Sequence, residues 1–210
     1  MGRVVREPTI AILDYGIGNL HSAHKGFAHA GANAVLTRDP AVIAAADGVV
    51  LPGVGAFGPC VEAIRSVGLD EVTHERIAAG VPFFGICVGM QVLFSGSDES
   101  PGVDGLGVFD QRIIALPDTV KRPQMQWNMI DRTVVDHPMF EGLADDAWVY
   151  FVHSYAAQPG PDVVATCAYG DNLVAAVGRD HVWACQFHPE KSGRNGLRIL
   201  ENFVAAAREA

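Results

Sequence analysis

Gly85-Ile86-Cys87-Val88-Gly89 closes an apolar run that begins at Val81, and it opens a stretch of helical spacing. A nucleophile on so sharp a strand-to-helix turn forces neighbouring backbones together, and glycine is required where a Cβ would clash. At a helix N-terminus the unpaired N–H groups and the dipole favour the thiolate, the reactive form of cysteine. Taken alone, the same five residues also describe a buried structural cysteine, because free cysteine is commonly buried. A second segment, Gln186-Phe187-His188-Pro189-Glu190, changes the balance. An ordinary thiol, with a pKa of about 8.5, is mostly protonated at neutral pH and needs a neighbouring imidazole to accept its proton. His188 can be that base. On an extended backbone, residues two apart project to one side, which lets the Glu190 carboxylate hold the other ring nitrogen. The third element is Pro52-Gly53-Val54-Gly55, whose glycines let the chain reorient. Val54 N–H and Val88 N–H are then candidates for an oxyanion hole facing a tetrahedral intermediate. Cys87, His188 and Glu190 together read as a nucleophile, its base and the carboxylate that orients the base.

Other chemistry is less well supported. Cys185 and His188 have a spacing open to a metal, but no second ligand pair is clustered with them, so no metal site is expected and Cys60, Cys167 and Cys185 are read as packing. Tyr15-Gly16-Ile17-Gly18-Asn19 lacks the third glycine of a dinucleotide loop, and a nucleotide site there is rejected. Trp127, after a polar and proline-containing loop, is a candidate for exposure.

The three segments must end neighbouring strands if they are to meet. The first half supplies such strands, alternating with helical patterns as in βαβ units and a parallel sheet. Thr9 to Leu13, Ala34 to Thr37, Gly48 to Leu51 and Val81 to Ile86 read as buried strands. Leu20, Ala23, Phe27 and Ala30 recur at helical spacing before Gly31, and Leu69 to Ala79 forms a second helix closed by Gly80. From Gly107 to about Gly178 strands follow without intervening helices: Arg112 to Leu116, Trp148 to Val152, Val163 to Cys167 and Leu173 to Val177. Val182 to Phe187 is a last buried strand, and Leu197, Leu200, Val204 and Ala207 mark a terminal amphipathic helix. Strand ends carrying Pro52, Cys87 and His188 meet at the C-terminal edge of a parallel sheet, where α/β sites lie.

The 210 residues suffice for one domain, 1–210, with no linker-like composition dividing it. At 49% hydrophobic and 19% charged the chain is not of the disordered class. Its net charge of −9 opposes binding to nucleic acid or to an anionic membrane. The four cysteines include no C-x-x-C pair, and they fit reduced thiols in a cytoplasmic protein. The start, Met1 to Arg6, lacks the apolar stretch of a signal peptide, and no segment is long and apolar enough to span a bilayer. The protein is expected to be neither exported nor membrane-bound.

Leu13-Asp14-Tyr15-Gly16-Ile17-Gly18-Asn19-Leu20, Leu51-Pro52-Gly53-Val54-Gly55-Ala56-Phe57, Gly85 to Gln91 and Phe187-His188-Pro189-Glu190-Lys191-Ser192 resemble the class I, triad-type glutamine amidotransferases. Within that class they are most similar to the glutaminase subunits of imidazole glycerol phosphate synthase. The elbow and H-P-E mark the broad class, and the other segments the narrower group. The resemblance implies a flavodoxin-like three-layer α/β sandwich, with a mostly parallel central sheet and a β-rich C-terminal half. It implies that Cys87 attacks the side-chain amide of L-glutamine, that His188 passes a proton to departing ammonia, and that Glu190 orients His188. Gly53, Gln91, Ser154 and Tyr155 match positions that bind glutamine. Asn19, Trp127 and Lys191 match positions facing a (β/α)8-barrel cyclase, which receives the ammonia in a heterodimer and makes imidazole glycerol phosphate and an aminoimidazole carboxamide ribotide. No cofactor is implied. One departure stands out: where the family usually reads P-H-M-G-W-N, this chain has Pro123-Gln124-Met125-Gln126-Trp127-Asn128, and Gln126 adds a long side chain near the expected interface. A glutaminase subunit of another synthase, of the pyridoxal phosphate or anthranilate type, is the alternative; it shares mainly the elbow and the H-x-E.

Overall fold

The computed structural model describes residues 6–210; the expectation about Met1 to Val5 lies outside the described residues. In chain order the elements are β1 (Thr9–Leu13), α1 (Leu20–His29), β2 (Asn33–Thr37), α2 (Pro40–Ala44), β3 (Gly48–Gly53), α3 (Phe57–Ser66), α4 (Leu69–Ala78), β4 (Phe83–Cys87) and α5 (Val88–Gln91). They continue with β5 (Ile113–Ala115), β6 (Gln124–Met129), β7 (Asp131–Arg132), β8 (Trp148–His153), β9 (Tyr155–Ala157), β10 (Val163–Ala168), β11 (Asn172–Arg179), β12 (Val182–Cys185) and α6 (Gly193–Glu209).

Eight strands form one sheet in the order β2-β1-β3-β4-β12-β11-β10-β7. The first five are parallel and the last three antiparallel. Every residue of β3 and β4 is buried, as in strands covered on both faces, and this accounts for their unbroken apolar character. The connection from β1 to β2 runs one way along the sheet, and those from β2 to β3 and β3 to β4 run the other way. Right-handed crossovers therefore place α1 on one face and α2, α3 and α4 on the opposite one. α6 returns to pack against α1. Phe203 of α6 is the centre of that layer, with ring centroids 5.9 Å from Phe27, 5.3 Å from Phe84 and 5.8 Å from Trp183. The result is the expected three-layer α/β sandwich. No helix among the described residues is long and apolar enough to cross a membrane.

The β-rich half adds two small antiparallel pairs, β5 with β9 and β6 with β8, beside the carboxyl ends of the central strands. The stretch before Trp127, expected as a loop, is strand β6. Its polar residues hide the pattern, because only Gln124 turns fully inward while Met125 and Trp127 remain exposed. The sequence pattern also conceals α3, where Gly58 and Pro59 break the helical spacing; both fall in the first turn, where proline is tolerated. The last strand ends at Cys185 rather than Phe187. Beyond it Gln186 N–H still donates to β11, at Ala175 O 2.8 Å away, and only His188 N–H turns to another strand, at Tyr150 O of β8, 2.9 Å away.

Candidate active site

Cys87 ends β4 and caps α5 with φ 55° and ψ −115°, a region that side-chain-bearing residues rarely occupy. Such strain costs on the order of 1–3 kcal/mol and persists only where the surroundings enforce it. They do so here by close approach. A Cβ on Gly89 would lie 1.8 Å from Leu51 O, and one on Gly85 would lie 2.9 Å from Gly89 O. Gly89 is thus required by contact between α5 and β3, and Gly85 by contact between β4 and α5.

His188 and Glu190 are brought together with Nδ1 and Oε1 at 2.7 Å, both side chains 3% exposed. The route differs from the sequence expectation. Residues Pro189–Lys191 form a 3-10 turn instead of an extended segment, so the pairing comes from a tight turn with proline at its first position. Ser192 fixes that turn: its hydroxyl donates to His188 O at 2.6 Å and accepts from Tyr150 N–H at 2.9 Å. With Nδ1 engaged by Glu190, Nε2 is the ring nitrogen free to serve the thiol. Burial works against a charged His188, but hydrogen bonding and charge from Cys87 and Glu190 outweigh it and raise its pKa to about 10. The imidazolium is therefore the favoured form beside Cys87.

A cavity of about 310 Å³ opens over Cys87, with Val54 and Gly55 on one side, Val88 beside the nucleophile, and Ser154 and Tyr155 opposite. Two carbonyls of the 52–55 turn are held from outside the cavity lining, Pro52 O by the Tyr15 hydroxyl at 2.7 Å and Val54 O by the Cys60 thiol at 3.3 Å. Tyr15 and Cys60, read as a rejected loop and as packing, thereby tie down the proposed oxyanion turn. Gly53, expected on glutamine, is not among the lining residues. It lies beneath the elbow, where a Cβ would be 2.5 Å from Gly89 N, so its lack of a side chain serves packing.

Gln91 lines the cavity and commits both amide hydrogens elsewhere, to Tyr155 O at 3.1 Å and to Gln186 Oε1 at 2.9 Å. That leaves Oε1 as the atom it can offer a ligand. Tyr155 O also accepts from His153 Nδ1 at 2.8 Å, which places the ring proton on Nδ1 and makes Nε2 an acceptor. The Gln124 amide lies 3.0 Å from that Nε2. With its NH2 toward His153, its oxygen meets the Cys167 thiol; the reverse placement leaves a buried Gln124 nitrogen without an acceptor. Burial keeps His153 neutral, lowering its pKa to about 4, and pushes the Cys167 thiol up to about 12.

Glu99 is a site residue that no sequence motif marks. Its carboxylate lines the cavity and accepts from Phe57 N–H at 2.8 Å, while neighbouring Ser100 accepts from Gly58 N–H at 3.0 Å. It reaches the site only because its loop folds onto the start of α3.

Asn19, Trp127 and Lys191, expected to face a partner, lie at the head of α1, on β6 and in the 189–191 turn. Lys191 is exposed at the cavity rim, and Trp127, 48% exposed, packs edge-on against Tyr150 and stands beside Gly193. Asn19 heads α1, which packs against the 189–191 turn. Exposed Met125 and Trp148 extend an apolar face over β6 and β8. Gln126 alternates with Trp127 along β6 and so lies on the strand's other face.

This combination of fold, cysteine elbow and paired His–Glu defines a triad amidotransferase. The family model for class-I glutamine amidotransferases matches residues 11–207, and the chain belongs to that family. Among curated proteins it is 47% identical over 203 residues to an imidazole glycerol phosphate synthase subunit HisH from Synechococcus elongatus, covering 94% of this chain and 93% of the relative. It is 50% identical over 200 residues to the protein of the same name from Methanothermobacter thermautotrophicus, covering 95% and 99%. Among solved structures, PurLQS from Thermotoga maritima shares the fold at a TM-score of 0.74 and 16% identity, covering 96% of this chain and 99% of that one.

Proposed function

We propose that this chain is the glutaminase subunit of an imidazole glycerol phosphate synthase, hydrolysing L-glutamine and passing ammonia to a cyclase subunit in histidine biosynthesis. The observation that carries the reading is the His188–Glu190 pair, set beside a strained Cys87 at the floor of a cavity with a carboxylate and a lysine on its lining. The names of relatives 44–50% identical over nearly the whole chain support the particular synthase.

Glutamine enters as a zwitterion, and Glu99 suits its ammonium, with Gln91 Oε1 as a second acceptor. The Ser154–Tyr155 segment forms the wall along the substrate. The Cys87 thiolate attacks the amide carbon; a C–S bond forms and the carbonyl pair moves to oxygen, where Val54 N–H and Val88 N–H stabilise it. The tetrahedral adduct collapses with loss of ammonia, which takes its proton from His188. Water then attacks the thioester, giving its proton to His188, and the C–S bond breaks to release glutamate and restore the thiolate. Glu190 holds the imidazole through both proton transfers.

The apolar face of Met125, Trp127 and Trp148, with Lys191 at the cavity rim, is the docking face for a (β/α)8-barrel cyclase in a cytoplasmic heterodimer. The whole chain, 1–210, acts as one amidotransferase domain without a cofactor. Cys87→Ala tests the reading: glutamine-dependent turnover with the cyclase is expected to fall at least about a thousandfold, while turnover with added ammonium salts and binding to the cyclase persist. Retained glutamine-dependent turnover overturns it.

A further inference from the structure

One fully buried amide at this site has no part in the triad. Gln186 follows β12, and the β12–β4 register pairs Cys185 with Ile86, so Gln186 comes level with Cys87. Its side chain bridges the two residues that meet substrate: Oε1 accepts from Gln91 at 2.9 Å, and Nε2 donates to Cys87 Sγ at 3.8 Å. The larger radius of sulfur makes such a bond longer than one to oxygen. A polar side chain this deeply buried is costly unless both ends are bonded. Here the acceptor end is met by a neutral amide and the donor end by the nucleophile itself. The backbone is fixed as well, through Gln186 N–H to Ala175 O at 2.8 Å.

We propose that Gln186 is a further catalytic residue: its side-chain N–H supports negative charge on the Cys87 sulfur, and its carbonyl holds Gln91 with Oε1 turned toward substrate. The proposal rests on the reading of Cys87 as the glutaminase nucleophile. Sulfur carries that charge twice in the cycle, before the C–S bond forms and again as it breaks in thioester hydrolysis. Between these points the electron pair lies in the C–S bond and the donor matters less. Gln186 therefore favours both the attacking thiolate and the departing one. His188 reaches the same centre from the same segment to manage protons, so the stretch that follows β12 delivers both functions two residues apart.

Gln186→Met keeps length and packing but removes the donor, and Gln186→Glu keeps shape but turns an acceptor toward sulfur. Two readouts separate the two ends of the amide. Alkylation of Cys87 by iodoacetamide at pH 7, located by peptide mass spectrometry, reports on sulfur without glutamine; KM for glutamine, measured with the cyclase bound, reports on Gln91. Losing a hydrogen bond to a charged group is expected to slow alkylation and lower kcat about tenfold in Gln186→Met, more in Gln186→Glu, and to raise KM in both. A folded Gln186→Met with both rates within about twofold of wild type overturns the proposal, since that is the scale of a packing change. Should the variants not fold, the wild-type chain decides: the Gln186 side-chain amide resonances shift on alkylation of Cys87, and no shift overturns the proposal. If wild-type Cys87 resists alkylation and no glutamine is hydrolysed, it is the glutaminase reading that has failed.

Discussion

The parallel half of the molecule and its β-rich half build opposite walls of one cavity by different means. From β3, β4 and α5 come backbone features: a cysteine at positive φ, the Val54 and Val88 amides, and glycines packed where no Cβ fits. From β6, β8 and β9 come side chains joined through a carbonyl, in the chain Gln124–His153–Tyr155 O, which reaches across the cavity to the Gln91 amide of α5. A wall made of backbone is fixed by sterics, so a single methyl group can break it. A wall made of hydrogen-bonded side chains is held by pairings and protonation states, so it responds to pH and to the loss of one partner.

The largest effect is expected from Gly89→Ala. The added Cβ would lie 1.8 Å from Leu51 O and 3.1 Å from Pro52 C, both backbone atoms of a strand buried throughout. Relief requires moving β3 from β4 or unwinding the elbow. A destabilisation above about 4 kcal/mol is expected, at the extreme of single substitutions, and is read from the urea midpoint. A loss under about 1 kcal/mol, typical of ordinary sites, would show that the elbow is softer than its contacts imply.

The two histidines of the site sharpen the contrast through pH. His153 has its pKa lowered to about 4 by burial. Between 6.5 and 4 the unfolded chain takes up a proton that the folded chain refuses, so this contribution is complete above pH 6.5 and is lost as pH falls toward 4. It amounts to about 3 kcal/mol at most. His188 runs the other way: with its pKa raised to about 10, the stability it contributes is complete below pH 6.5 and is lost as pH rises through 10. Denaturant midpoints across this range should fall on both sides, the acid fall shrinking in His153→Gln and the alkaline fall in Glu190→Gln. An acid limb unchanged in His153→Gln would mean that another group sets it.

The same contrast explains which parts of the site the sequence discloses. Cys87, His188 and Glu190 carry chemistry by residue type, and the glycines around Cys87 and Val54 announce the backbone they permit. The parallel strands are equally plain, because burial on both faces leaves them apolar throughout. Glu99, Gln186 and Ser192 are common polar residues, each tied into the site by a contact 42 to 99 positions away in the chain. Strand β6 is obscured for a related reason: its polar Gln124 faces inward to His153, and its apolar Met125 and Trp127 face outward. That reverses the pattern by which strands are recognised. His188 and Glu190 illustrate a third case, in which the pair is legible but the 3-10 turn that joins them is not.

Ser192 lies where the two halves meet, and its removal is the finest probe of the comparison. Its hydroxyl links the carbonyl of His188 to the amide of Tyr150 in β8, and so adds a second anchor to the β-rich half beside the His188 N–H bond to Tyr150 O. Ser192→Ala leaves the Tyr150 N–H and the His188 carbonyl without that partner, a loss of about 1–2 kcal/mol in a buried setting. The side-chain wall proposed to bind glutamine keeps its hydrogen bonds in this variant, whereas the imidazole loses part of its support. kcat should therefore fall severalfold with KM for glutamine nearly constant, the sign of an interaction that matters in the transition state and not in binding. A rise in KM at constant kcat would instead place Ser192 with the β-rich wall, and the division between a backbone-built catalytic side and a side-chain-built binding side would have to be redrawn through the 188–192 turn.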